Sequence, residues 1–236
     1  MKGQAVRSVD PYPICENLFL VGSSEITDSR DCSVYLLDLG ELVLIDAGAG
    51  PSAFSITSNI ERVGRDPSRL SAVLVTHCHV DHSGGARFFQ KEYGARIIMH
   101  ERDAHAVEKG DSIMTAAHWY NLRFEPTHVD VKIHAEQESL SFGEHHLVCL
   151  NTPGHTPGSL SAYLDLGGKR VLFGQDIHGP FHADFGSDLA AWRTSMEQLL
   201  ALDADVLCEG HFGVYEPRER VAAYIRHYLD AYADEE

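Results

Sequence analysis

Apolar residues fall in short, nearly continuous runs separated by longer stretches with a helical repeat. LFLVG (18–22), SVYLLDL (33–39) and ELVLID (41–46) read as strands, the last two joined by a tight turn at Gly40. Pro51 opens the helical stretch AFSITSNIERVG, because proline suits the first position of a helix. AVLVT (72–76) has the β-branched character of a buried strand. GGARFFQKEYG then predicts a helix closed by Gly94, followed by the strand RIIMH (96–100). Residues 101–125 are expected to be helical, and their aromatic cluster His118, Trp119, Tyr120 and Phe124 reads either as the packed face of that helix or as a lid inserted over a pocket. A second group of β runs follows at 129–133, 139–142, 146–150, 159–164 and 170–174. The helix LAAWRTSMEQLLAL, the strand ADVLC and the helix PRERVAAYIRHYLDAY complete the chain. Two strand groups, each flanked by helices, predict one α/β domain over 1–236 with two sheets face to face and helices outside, four layers in all.

Composition narrows the class. A chain of 236 residues with 44% hydrophobic and 23% charged residues is ordinary for a globular protein. No apolar run approaches the roughly 18 residues of a membrane span. The opening MKGQAVRSVDPYPI carries no apolar core of signal length, so the expected compartment is the cytoplasm. Five cysteines, odd in number and without a C-x-x-C pair, fit reduced thiols better than a disulfide frame. The net charge of −16 disfavours a nucleic-acid partner, which needs basic surface. A small-molecule substrate is expected, with no membrane partner and a homodimer left open.

The 15 histidines change the picture by where they stand. His77-Cys78-His79-Val80-Asp81-His82 directly follows the AVLVT strand. Three imidazoles and a carboxylate at a strand's carboxyl end suit zinc, iron or manganese. Three other Gly-rich turns each follow an apolar run and carry one ligand-type residue: His155 in TPGHTPG, Asp176 in FGQD, and His211 in CEGHFG. Glycine beside a ligand lets the backbone turn sharply into a crowded site. Cys78, between two ligand candidates, alternates away from them and reads as a packing residue.

Together HxHxDH, TPGHTPG, the GxD turn and the late GH turn resemble the metallo-β-lactamase-like hydrolase superfamily, over about residues 16–225. The resemblance implies an αββα sandwich of two mixed sheets with two divalent metal ions at one end, zinc foremost and iron or manganese as alternatives. It makes His77, His79 and His155 the ligands of one metal and Asp81, His82 and His211 those of the other, with Asp176 bridging. Asp46 in LIDAG matches an aspartate that supports the site without binding metal.

Such a ligand set leaves room for water, as catalytic sites do and closed structural zinc sites do not. Two cations roughly 3.5–4 Å apart can share a hydroxide that attacks at neutral pH. The expected activity is therefore hydrolysis of an ester, lactone or thioester through that bridging hydroxide. Asp81 has a second expected task, passing a proton to the leaving group. His178 and His182, just after Asp176, and Tyr120 are candidates to face substrate.

Departures from known branches weigh on the substrate. The 25 residues after His211 hold one helix, not the helical domain of glyoxalase II enzymes. Acyl-homoserine lactonases place a tyrosine where Gly179 stands here. Persulfide dioxygenases share H-C-H-x-D-H and use one iron, for which His77, His155 and Asp176 would serve. Single-chain nucleases of the superfamily share DHSGG, and a non-catalytic metal-binding protein is the alternative of a different class.

Overall fold

The computed structural model describes residues 10–233, so the expectation about a leader, which depends on the first nine residues, lies largely outside it. The first sheet runs in the order β1 (Tyr12–Cys15), β2 (Leu18–Gly22), β3 (Val34–Asp38), β4 (Leu42–Ile45), β5 (Leu70–Leu74), β6 (Arg96–His100) and β7 (Val131–Ile133). The second runs β13 (Val214–Tyr215), β12 (Val206–Cys208), β11 (Lys169–Phe173), β10 (Leu160–Leu166), β9 (His145–Asn151) and β8 (Gln137–Phe142). Both are mixed. Strands β1 to β4 pair antiparallel and β4 to β7 parallel. In the second sheet β11 and β12 pair parallel and the other neighbours antiparallel.

Alternation along each strand sorts side chains between layers. Leu37, Val43, Ile45 and Leu74 face inward and meet Leu147, Leu164, Val171 and Phe173 of the second sheet. Tyr35 crosses the gap, its ring 5.7 Å from that of Phe173. The intervening residues Leu36, Leu44 and Val73 face out, where α1 (Ala53–Arg62), α3 (Ala86–Tyr93) and α4 (Glu101–Lys109) cover them with Ile56, Phe89 and Val107. On the far side Leu172 and Leu207 meet Trp192 of α5 (Leu189–Ala201) and Ile225 of α6 (Arg218–Ala231). Strands covered on both faces lose their polar alternation, which is why they read as continuous apolar runs. Each such buried side chain contributes about 1.5–3 kcal/mol.

The architecture matches the expected four-layer αββα sandwich, with differences in detail. The run at 129–133 supplies β7, which joins the first sheet beside β6 rather than the second. Strands β1 and β13 are too short or too polar to stand out in the sequence. The helix expected over 101–125 ends early: α4 stops at Lys109, where Gly110 takes a left-handed φ of 67°. Asp111 then starts a turn by accepting hydrogen bonds from Ile113 N and Met114 N. Residues 111–125 continue as turns and extended chain, with Phe124 buried against the first sheet. No helix among the described residues is long and apolar enough to cross a membrane.

The topology gathers one edge of the molecule. β4 and β5 run parallel in one sheet, β11 and β12 in the other, and β9 shares the direction of β11. The carboxyl ends of all five open onto that edge.

Candidate metal centre

Five loops at these strand ends carry the polar cluster. Beyond β5 the chain bends at His77 and Cys78 and is extended at His79; the imidazoles of His77 and His79 point inward while Cys78 turns to the outer core. The four-residue helix α2 (Val80–Ser83) then places Asp81 and His82 in its one turn. His155 projects from the loop between β9 and β10, Asp176 from the turn after β11, and His211 from the turn after β12. Asp46 and Asp176 both adopt left-handed backbone, at φ 62° and 49°. That conformation costs roughly 1 kcal/mol or more for a residue with a side chain, and such strain concentrates at functional sites.

The donor atoms form two sets about one carboxylate. His79 Nδ1 lies 3.1 Å from His77 Nε2 and 2.9 Å from His155 Nε2. Asp176 Oδ2 is 3.3 Å from His155 Nε2 and 3.7 Å from His77 Nε2. Its other oxygen, Oδ1, is 3.3 Å from both His82 Nε2 and His211 Nε2. Asp81 Oδ2 completes that second set, 3.5 Å from His82 Nε2 and 3.4 Å from His211 Nε2. Tetrahedral zinc with bonds of about 2.0–2.1 Å separates neighbouring nitrogen donors by about 3.3 Å. The first set meets that spacing to a few tenths of an ångström. Hydrogen bonds among three imidazole nitrogens cannot use all three lone pairs at once, whereas one cation satisfies all of them. Asp176 Oδ1, buried and without a hydrogen-bond partner, has the same need of positive charge. The residues present therefore fit a pair of cations.

Titration behaviour separates the two sets. Burial, then the neighbouring imidazoles, hold His77 and His79 well below the usual histidine range, so both keep lone pairs free. Burial also opposes a charge on His211, but the Asp176 carboxylate outweighs it and raises the imidazole to about 9. His82 is raised well above its ordinary value in the same way, with Cys32, Asp176 and Asp81 outweighing burial. Protons on these two rings stand in for the positive charge that the carboxylates demand.

Outer contacts fix each ring. Asp46 Oδ2 accepts from His82 Nδ1 at 2.7 Å and from Gln175 Nε2 at 2.6 Å, while its Oδ1 accepts from Thr76 N at 2.8 Å. Asp46 thus holds the His82 ring through its Nδ1. His155 donates through Nδ1 to the Pro180 carbonyl at 2.8 Å. Such partners set the tautomer and aim of a ligand. Two buried carboxylates that do this were not singled out in the sequence. Asp103 accepts from Cys78 N at 2.9 Å, Thr156 Oγ1 at 2.7 Å and Gly158 N at 2.7 Å, tying the two histidine loops together from α4. Glu209 accepts from His211 N at 2.6 Å and Phe212 N at 2.8 Å, and from His178 Nδ1 at 2.9 Å. Its signal was an acid two residues before a ligand in a Gly turn; Asp103, 53 residues from its partner Thr156, had none. Cys78 packs as expected: its Sγ lies 3.2 Å from the Met114 carbonyl, and burial, with Asp103 beside it, keeps it a thiol.

A cavity of about 360 Å³ opens onto the cluster, with Asp81, Asp176 and His178 in it and Trp119, Tyr120 and Phe185 as walls. Burial first, and then the charge of Asp81, pushes the Tyr120 phenol up, so it is a hydrogen-bond donor. His178 and Tyr120 both line this cavity. His182 does not line this cavity; it is exposed and caps a turn through Asp184 N.

A sequence model of the metallo-beta-lactamase superfamily matches residues 27–211, a span that holds every residue of the cluster. The chain belongs to that superfamily. Among its relatives is the probable metallo-hydrolase YflN of Bacillus subtilis, 27% identical over 214 residues, covering 76% of this chain and 80% of YflN. Another, the acyl-coenzyme A thioesterase MBLAC2 of Gallus gallus, is 27% identical over 64% of this chain and 60% of its own. In fold, a metallo-beta-lactamase from Cronobacter sakazakii superposes with a TM-score of 0.81 at 23% identity, covering 96% of each chain. Membership makes this chain, at that level, a metallo-hydrolase-superfamily protein with a His/Asp metal-binding cluster.

Proposed function

We propose that this chain is a dinuclear metal-dependent hydrolase that cleaves an ester, lactone or thioester bond in a small molecule. The observation that carries the reading is Asp176, whose two oxygens face two separate, complete donor sets at about 3.3 Å. His77, His79 and His155 would hold one cation and Asp81, His82 and His211 the other, with zinc favoured and iron or manganese served by the same donors. Bound there, two divalent cations supply Lewis acidity and acidify water towards neutral pH.

The chain's own groups supply the rest. Asp81, its carboxylate facing the cavity, accepts a proton from the attacking water and returns it to the departing oxygen or sulfur. Tyr120, which lines the same cavity as Asp81, orients the substrate carbonyl. His178 donates through Nδ1 to Glu209, which leaves Nε2 as the atom it offers to substrate. The aromatic wall of Trp119 and Phe185 excludes water around an acyl group. A one-iron dioxygenase would use His77, His155 and Asp176 and would leave the second set without a task.

The test is elemental analysis of the purified protein beside a panel of acyl esters, lactones and thioesters. Two metals per chain and turnover of at least one acyl substrate are expected. His211→Ala should lose about one equivalent of metal, and Asp81→Asn should lower kcat by about 10²–10⁴-fold, the usual worth of a positioned acid–base group. One iron per chain, or no turnover by the metal-loaded protein, ends this reading.

A further inference from the structure

His178 is held the way a metal ligand is held. Its Nδ1 donates at 2.9 Å to Glu209, a fully buried carboxylate that also receives the backbone N–H groups of His211 and Phe212. The ring packs edge-on against Phe212, centroids 4.7 Å apart, and lies 5.2 Å from the ring of His211. The arrangement repeats that of His82, whose Nδ1 rests on the fully buried Asp46 while Nε2 faces Asp176 Oδ1. A carboxylate behind an imidazole fixes its tautomer and strengthens it as a ligand. A ring nitrogen of His178, a ring nitrogen of His211 and a carboxylate oxygen of Asp176 all lie within 4.8 Å of one another, as do the donors of Asp81, His82 and His211. Two bonds of about 2.1 Å span at most about 4.2 Å, so closing the His178 triplet on one ion takes a shift of about 0.6 Å or less. The side chains of His178 and His211, 16% and 25% exposed, line the cavity and have room to make it. His82 is fully buried and does not line it. His211 and Asp176 thus serve two sets, an inner one completed by Asp81 and His82 and an outer one completed by His178. Both need His211, so one cation fills one or the other.

We infer that Asp176, His178 and His211 form a third cation seat on the cavity side of the cluster, where a divalent ion of the zinc class rests on its way to and from Asp81, His82 and His211. This rests on the two-cation part of the reading above and not on its substrate. Two imidazoles and a carboxylate suit zinc and leave positions for water. The inner seat adds Asp81 and His82 to the shared pair and holds the ion more tightly. An ion entering from the cavity meets His178 before it reaches the buried His82. Once the inner seat is filled, His178 Nε2 is free to meet substrate.

The variant His82→Asn separates the seats. An asparagine amide can still donate to Asp46, so the buried carboxylate keeps a partner while the inner seat loses a ligand. Zinc binding is read by calorimetry and by elemental analysis after dialysis. The native protein should bind two ions per chain. His82→Asn should still bind two, the second about tenfold or more weaker, and His82→Asn/His178→Ala only one. A single zinc in His82→Asn, or two in the double variant, overturns the seat while leaving the two-cation centre standing. Fewer than two in the native protein ends the two-cation reading itself, and the seat with it. Should circular dichroism show His82→Asn unfolded, His178→Ala in the otherwise native chain takes its place. Its second zinc should pass to a chelator about tenfold more slowly than that of the native protein. Release at the native rate or faster overturns the seat.

Discussion

At the scale of residues, the cluster behaves as a set of charges that hold one another in place. Asp103 is fully buried and receives three hydrogen bonds from two loops that each bear metal-ligand candidates. Removing a buried acceptor strands its donors at about 1–3 kcal/mol apiece. Asp103→Ala should therefore lose about 3 kcal/mol or more in urea unfolding, and metal affinity with it. His211 gives a pH signature. Without metal its pKa is raised to about 9 from an ordinary 6.5, so its stabilising contribution is complete below pH 6.5 and lost as pH rises through about 9. A metal ligand must shed that proton. Binding of zinc at pH 7–8 should release protons, seen as a dependence of the calorimetric heat on buffer ionisation enthalpy, and His211→Ala should reduce the release.

Among the elements, the turns after the strands do the positioning, and glycine sets how closely they approach. A Cβ added at Gly210 would stand 2.5 Å from Asp176 Oδ1, so the β12 turn and the β11 turn cannot both keep their places with a side chain there. Gly210→Ala should push Asp176 off its shared position and reduce bound metal below two equivalents by elemental analysis, while circular dichroism stays near wild type. Gly154 plays the same part against Trp192 of α5, at a φ of 144°. The helix that ends early, α4, matters for the same reason: stopping at Gly110 frees residues 111–125 to turn back as a wall bearing Trp119 and Tyr120.

For the molecule as a whole, the site is a seam between two sheets, so its ligands also staple the halves of the sandwich. Metal that binds only the folded state stabilises by about 2.7 kcal/mol at a hundredfold excess over Kd. In a chain of this size that is roughly 5–10 °C in Tm for each site. A strong chelator should lower Tm by that amount and zinc should restore it, followed by scanning calorimetry; an unchanged Tm would count against a cation in the seam. The sequence alone determined most strand runs, the four layers, the local motif His77, His79, Asp81 and His82, and the Gly-rich turns that carry His155, Asp176 and His211, because apolar patterning and short motifs are local quantities. What covers the pocket, which sheet takes residues 131–133, and the bracing by Asp103 and Glu209 were decided only by tertiary structure. Those depend on where a helix stops and on carboxylates reaching across loops far apart along the chain, and neither leaves a periodic trace.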